Sequence, residues 1–140
     1  MPSGVLDTSV IIEIFDKANH SLLEHILSRY EIIYVPWITM YEYLYGHKYL
    51  NKPISVRKKA LEELGTIIWI NQEIVMKALE LDINLHRHRK GKPIPFSDIL
   101  IAAIVFYLNA ELVTLDVRHF KDIPNIRIYV PSRFTHSASS

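Results

Sequence analysis

Short β-branched runs alternate with longer stretches of helical spacing along most of the chain. Gly4-Val5-Leu6 is an apolar run that stops on Asp7, and Thr8 or Ser9 then offers a cap for a helix through Ile11, Ile12 and Phe15. Leu22, Leu23, Ile26 and Leu27 share one face of a second helix over about residues 21–30. Ile32-Ile33-Tyr34-Val35 predicts a strand stopped by Pro36, after which helical spacing returns through Ile38, Tyr41, Leu44 and Tyr45. Another helix, over residues 55–64, ends at Gly65. Thr66-Ile67-Ile68-Trp69-Ile70 is the near-continuous apolar strand expected where a parallel sheet is covered on both faces. A long helix follows from Gln72 towards His88, then a loop over residues 91–96, and Ser97 is placed to cap an apolar helix over residues 98–109. Leu112-Val113-Thr114-Leu115 predicts a strand ending at Asp116, with a last strand over residues 126–130. Strands alternating with helices in this way predict an α/β fold with a mainly parallel sheet.

Composition narrows the class. At 140 residues the chain fits one domain. Neither a repeat nor a Gly/Pro/Ser linker divides it, so a single unit over residues 1–134 is expected, with residues 135–140 as a flexible tail. The 49% hydrophobic and 22% charged fractions belong to a packed protein and exclude general disorder. No Cys is present, which excludes a disulfide framework, a thiolate zinc site and a cysteine nucleophile. The longest apolar run, Ile99 to Leu108, is ten residues, against roughly 20 for a spanning helix. Asp7 and Glu13 interrupt the apolar N-terminus where a signal peptide would need its core. A soluble cytoplasmic protein with no membrane partner is expected.

The chemistry concentrates in four acids. In an open parallel sheet, ligands bind outside the carboxyl ends of the strands. Asp7 and Asp116 each follow a predicted strand, Asp98 opens the apolar helix, and Glu42 lies in the aromatic stretch Met40-Tyr41-Glu42-Tyr43-Leu44-Tyr45-Gly46. Each alone has an ordinary explanation: a first-turn acid for Asp98, turn caps for Asp7 and Asp116, a solvated helix face for Glu42. Gathered at one sheet edge they would repel one another, a conflict that a divalent cation resolves. An oxygen-only donor set suggests Mg2+ or Mn2+ rather than zinc.

Four blocks, Leu6-Asp7-Thr8-Ser9, Glu42-Tyr43-Leu44-Tyr45-Gly46, Asp98-Ile99-Leu100-Ile101-Ala102-Ala103 and Thr114-Leu115-Asp116-Val117-Arg118-His119-Phe120, resemble in order and spacing the signature blocks of the PIN-domain ribonucleases. The resemblance is closest to VapC-type toxins of toxin–antitoxin pairs and spans about residues 4–130. It implies a Rossmann-like, three-layer α/β/α fold with a mainly parallel sheet of four or five strands, and a homodimer. It also implies Mg2+- or Mn2+-dependent endonucleolytic hydrolysis of RNA by a metal-activated water, and a VapB-like antitoxin whose tail covers the acidic site. Carried over residue by residue, Asp7, Glu42, Asp98 and Asp116 form the catalytic, metal-binding quartet. Asp7 and Asp98 are the first choices for direct ligands, while Glu42 and Asp116 bind directly or through water. Thr8 or Ser9, and Thr114, fall where the family has hydroxyls that support the metal or its water. The family often has Asn at the position of Asp116.

The net charge is only +1, yet the charges are segregated. Residues 43–61 hold Lys48, Lys52, Arg57, Lys58 and Lys59 with no acid, giving +5, and residues 83–97 hold Arg87, Arg89, Lys90 and Lys92 with no acid, giving +4. Such stripes suit an RNA backbone, with solvated helix faces as the ordinary alternative. Tyr41, Tyr43, Tyr45 and Tyr49 suit base stacking or packing, with at least two of them expected to pack in a core or dimer interface. His86 and His88, two apart on a helix, point to different faces and make no metal pair. His119 is expected to have a local structural role.

A phosphoryl-accepting regulatory domain would need an adjacent acid pair after the first strand, where this chain has Asp7-Thr8, and an Asp near Asn71. A haloacid-dehalogenase-like phosphatase would need Asp-x-Asp in place of Asp7-Thr8-Ser9. Both are disfavoured. An RNA-processing nuclease without an antitoxin, and a non-catalytic RNA- or protein-binding module of the same fold, stay open as alternatives.

Overall fold

The computed structural model describes residues 2–88 and 93–134, the side chains of residues 87 and 88 excepted. The elements run β1 (Ser3–Leu6), α1 (Thr8–Ile11, continued by a π-helical turn Ile12–Asp16), α2 (His20–Arg29), β2 (Ile32–Pro36), α3 (Trp37–Tyr49), α4 (Ser55–Leu64), β3 (Thr66–Ile68), α5 (Gln72–His88), α6 (Phe96–Leu108), β4 (Glu111–Val113), β5 (Ile128–Tyr129) and a 3₁₀ turn Ser132–Phe134. The five strands form one parallel sheet in the order β3-β2-β1-β4-β5. Connection order reverses at β1, so the crevice between the carboxyl ends of β1 and β4 is the switch point where such sheets bind ligands.

Alternation along β1 separates two cores. Val5 packs with Leu112, Ile74, Phe120 and the apolar body of α6 on one face. Leu6 packs with Val10, Ile26, Val35, Leu61 and Val113 on the other. The result is the expected three-layer α/β/α arrangement with a parallel five-stranded sheet. In α6 every residue from Ile99 to Val105 is buried, which fixes the direction in which its first turn, with Asp98, meets the sheet edge. Asn109 ends the helix in the left-handed region, at φ 50° and ψ 48°, a conformation Asn tolerates. Gly4 is needed for packing, because a Cβ there would stand 2.9 Å from the Tyr30 ring.

Four elements differ from the sequence reading, the last strand being only Ile128–Tyr129 rather than the expected residues 126–130. The third strand stops at Ile68 because its partner β2 ends at Pro36, the residue in register with Ile68; Trp69 and Ile70 have no neighbour and are exposed. The fourth strand stops at Val113, and Leu115 N–H donates to the Ser9 hydroxyl (3.1 Å) instead of to a strand. Ser97 does not cap α6: Pro95 takes that position without a side-chain bond, and the helix begins at Phe96. The expected tail at residues 135–140, and Arg89, Lys90 and Lys92, lie outside the described residues. Among the described residues, no helix is long and apolar enough to cross a membrane.

Candidate active site

Asp7 leaves β1 in extended geometry and caps α1, its Oδ1 accepting from Thr8 N–H at 2.8 Å. Its second oxygen, Oδ2, accepts two hydroxyls, Thr114 at 2.7 Å and Ser9 at 3.1 Å. Both hydroxyls also accept a backbone N–H, from Asp116 (3.0 Å) and Leu115 (3.1 Å) respectively. The turn after β4 is thereby tied to the carboxylate after β1 through two hydroxyl relays.

Glu42 reaches the same place from α3, accepting from the Thr8 hydroxyl at 3.2 Å. Asp98 reaches it from the first turn of α6, and His119 Nδ1–H donates to its Oδ2 at 2.6 Å. Asp116 stands at the rim in a two-pronged pair with Arg118, at 2.9 and 2.6 Å, and also accepts the Arg118 N–H at 3.1 Å. Asp7, Glu42, Asp98 and Asp116 line one cavity of about 300 Å³, together with Thr8, Ser9, Ile12, His119 and Phe120.

The electrostatics divide the four. Burial pushes the Asp7 carboxyl above its usual range, with the Thr114, Thr8 and Ser9 hydrogen bonds pulling it back and Asp116 pushing it up. Burial also raises Glu42, which Thr8 and Ser97 hydrogen bonds lower and the Asp98 and Asp7 charges raise. Asp98 is raised by burial as well, and His119 opposes the shift. Asp116 goes the other way: its hydrogen bonds to Arg118 hold it down at about 2. Three neighbouring carboxyls, Asp7 and Asp98 half-buried and Glu42 exposed at the mouth, resist ionising together, which is the condition a bound cation relieves. Their donor chemistry, carboxylate and hydroxyl oxygen without sulfur, fits Mg2+ or Mn2+. Among the described residues no three such side chains converge tightly enough to ligate one ion directly, an arrangement compatible with the waters that Mg2+ retains.

His119 is the residue that sequence reasoning undervalued. It lines the cavity and touches Asp98 rather than serving only its own turn. Its signal was the three-residue spacing after Asp116, which one turn of chain converts into proximity. Ser97, expected as a cap, interacts with Glu42 instead.

Among the described residues, Lys48, Lys52, Arg57 and Lys58 do not line the acidic cavity. Lys52 lines an adjoining groove of about 260 Å³ that shares Thr8, Ile12 and Glu42 with the acidic cavity. Lys48 lies in the last turn of α3. Arg57 donates to Pro53 O at 2.7 Å, and Lys58 pairs with Glu62 at 3.0 Å. The Arg87 side chain lies outside the described set, as do Arg89, Lys90 and Lys92. Of the four tyrosines, at least two of which are expected to pack in a core or dimer interface, Tyr43 alone packs within the chain, buried and donating to Asp16 at 2.7 Å, whereas Tyr41, Tyr45 and Tyr49 are exposed.

A parallel sheet ordered 3-2-1-4-5, with four carboxylates around its switch point, defines an α/β protein with an acidic cavity at the carboxyl edge of its sheet. The PIN domain family model matches residues 4–126, and the chain belongs to that family. It is similar to a VapC ribonuclease of Pyrococcus furiosus, 28% identical over 120 residues that cover 86% of this chain and 78% of that protein. The fold is shared with the DNA-bound VapBC of Salmonella typhimurium, with a TM-score of 0.77, 23% identity, and coverage of 93% of this chain and 98% of that one. It is also shared with VapBC2 of Rickettsia felis bound to a DNA fragment from its promoter, with a TM-score of 0.75, 24% identity, and coverage of 91% of this chain and 98% of that one.

Proposed function

We propose that the protein is a Mg2+- or Mn2+-dependent endoribonuclease, the toxin member of a toxin–antitoxin pair, acting as a homodimer in the cytoplasm. The observation that carries this reading is the placement of Asp7, Glu42, Asp98 and Asp116 around one cavity at the β1/β4 switch point. The likeness to a VapC ribonuclease and to VapBC assemblies supports both the activity and the antitoxin partner.

Asp7 and Asp98 are the ligands of choice, with Glu42 and Asp116 contributing directly or through water. When bound, the ion supplies a water of lowered pKa and charge stabilisation for the leaving oxygen. The chain's own residues do the positioning. Ser9 and Thr114 fix the Asp7 carboxylate by converging on Oδ2. Thr8 fixes Glu42, and His119 holds its Nδ1 proton against Asp98. Ile12 and Phe120 give the cavity its apolar lining. Arg118 shows that the acidic rim accepts a guanidinium in two-pronged fashion, the contact an antitoxin arginine would make.

The test is cleavage of single-stranded and structured RNA with Mg2+, repeated with EDTA and with Asp98→Asn. Loss of cleavage in both controls is expected. Undiminished cleavage in either one overturns the proposal.

A further inference from the structure

The acidic cavity does not end at Glu42. The groove between α1 and α3 shares Thr8, Ile12 and Glu42 with it and runs on past Gly46 and Leu50 to Lys52. A Cβ at Gly46 would meet no atom of the chain within 4 Å, so the fold itself does not require a glycine there. Glycine is costly inside a helix. Its effect is to leave the backbone of α3 bare one turn beyond Glu42, where an outside chain can approach closely. Asp16 also lines the groove, but its carboxylate is engaged by the Tyr43 hydroxyl (2.7 Å) and by His47 (3.3 Å). Among the described residues neither Lys48 nor Lys52 is drawn into an ion pair, in contrast to Lys58. Free cations at the distal end and an acid-free segment over residues 43–61 make that end attractive to phosphate.

The exposed flank of the same helix carries a ladder of rings. Tyr41, Tyr45 and Tyr49 are 57%, 57% and 75% exposed. Their centroids are 6.0 and 6.2 Å apart, and the Tyr45 and Tyr49 rings lie within 14° of parallel. At 3.6 residues per turn the ladder winds towards the Glu42 direction, reaching within roughly 20° of it at Tyr49. An isolated stack of phenol rings in water, next to unpaired lysines, is the combination that holds bases whose faces are open.

We propose that the α1–α3 groove and the Tyr41–Tyr45–Tyr49 ladder bind unpaired nucleotides of an RNA strand leading into the acidic cavity. This rests on the ribonuclease reading and adds where the strand runs on its way to the scissile bond. Phosphates run along the bare floor at Gly46 towards Lys52, and bases stack on the rings. A paired helix cannot offer its base faces to them.

Fluorescence anisotropy of the full chain carrying Asp98→Asn, with Mg2+ and a labelled ten-nucleotide single strand or the matching RNA duplex, tests the placement. Tyr45→Ala with Tyr49→Ala is expected to weaken single-strand binding about ten-fold, while the two Tyr→Phe changes keep it. Gly46→Leu, a helix-favouring change that fills the groove, is expected to lose single-strand affinity to a similar degree without lowering the thermal midpoint. Lys52→Ala should reduce the salt slope of binding by about 0.7. Duplex binding should be weaker and indifferent to the tyrosine changes. Single-strand affinity that survives the tyrosine and Gly46 substitutions overturns this proposal alone. So does a change in sedimentation without a change in affinity, which assigns the ladder to a protein contact. Failure of the parent chain to bind any RNA overturns the ribonuclease reading as well.

Discussion

Asp7 Oδ2 is held by two hydroxyls, and each hydroxyl is itself held by a backbone N–H, so the carboxylate is oriented before any ligand arrives. Thr114 is fully buried, and replacing it with Val keeps its shape while orphaning the Asp116 N–H and one side of Asp7. Thr114→Val is expected to cost about 1–3 kcal/mol of stability, measured by urea unfolding, and to lower RNA cleavage with it. Ionisation gives a second expectation. A carboxyl raised by burial binds its proton more tightly folded than unfolded, so the stability of the metal-free chain falls as pH rises from the ordinary carboxyl value of about 4. Asp7, Glu42 and Asp98 all act in this sense. Asp116 acts in the opposite sense, and its contribution disappears only as pH falls towards about 2. The thermal midpoint without metal should therefore decline between pH 4 and 8, and added Mg2+ should restore it at the upper end. A midpoint that climbs steadily over that range contradicts the raised carboxyls. Asp7 and Asp98 were readable because they sit at a strand end and a helix start that the hydrophobic pattern alone locates, whereas Glu42, in the middle of α3, and Asp116, in the turn after β4, were singled out by the sequence blocks around them. The Arg118 and His119 partnerships were not, because they depend on how a turn of irregular chain closes.

Two glycines next to helices make opposite demands. Gly65 ends α4 where a Cβ would come within 2.5 Å of the Ile33 carbonyl oxygen on β2. Gly46 sits inside α3 with open space around it. Gly46→Ala should raise stability by up to about 1 kcal/mol, and Gly65→Ala should lower it, as read from denaturant midpoints. The pattern of apolar positions located every helix of the described chain and all five strands, and its errors were confined to their ends. Trp69, Ile70 and Leu115 read as strand by residue type alone, but a strand lasts only as long as its neighbour supplies hydrogen bonds. Pro36 and the Ser9 hydroxyl decide those ends, and both are distant in sequence.

At the scale of the molecule, the sum of charges hides their segregation, and the outer face of α5 shows the same thing for apolar surface. Met76, Leu79 and Ile83 are exposed at helical spacing, flanked by Gln72, Glu73, Lys77, Glu80 and Asn84. An isologous contact places the same patch on both copies. Two α5 helices crossing antiparallel about the point between Leu79 and Glu80 would set Met76 against Ile83 and Glu73 against His86. The strip is thus self-complementary in a way that a single copy does not use, and it supports the second copy proposed above. Leu79→Asp would bring two carboxylates to the centre of that contact, where removing charge from water is costly. In sedimentation velocity the parent chain is expected to run as a dimer and Leu79→Asp as a monomer of unchanged circular dichroism. Because α5 packs on α6, the helix that positions Asp98, a dimer contact through the outer face of α5 would lie behind the acidic cavity rather than across it. The monomeric variant should therefore keep Mg2+-dependent midpoint stabilisation. Its loss together with dimerisation would mean that the site needs the second copy.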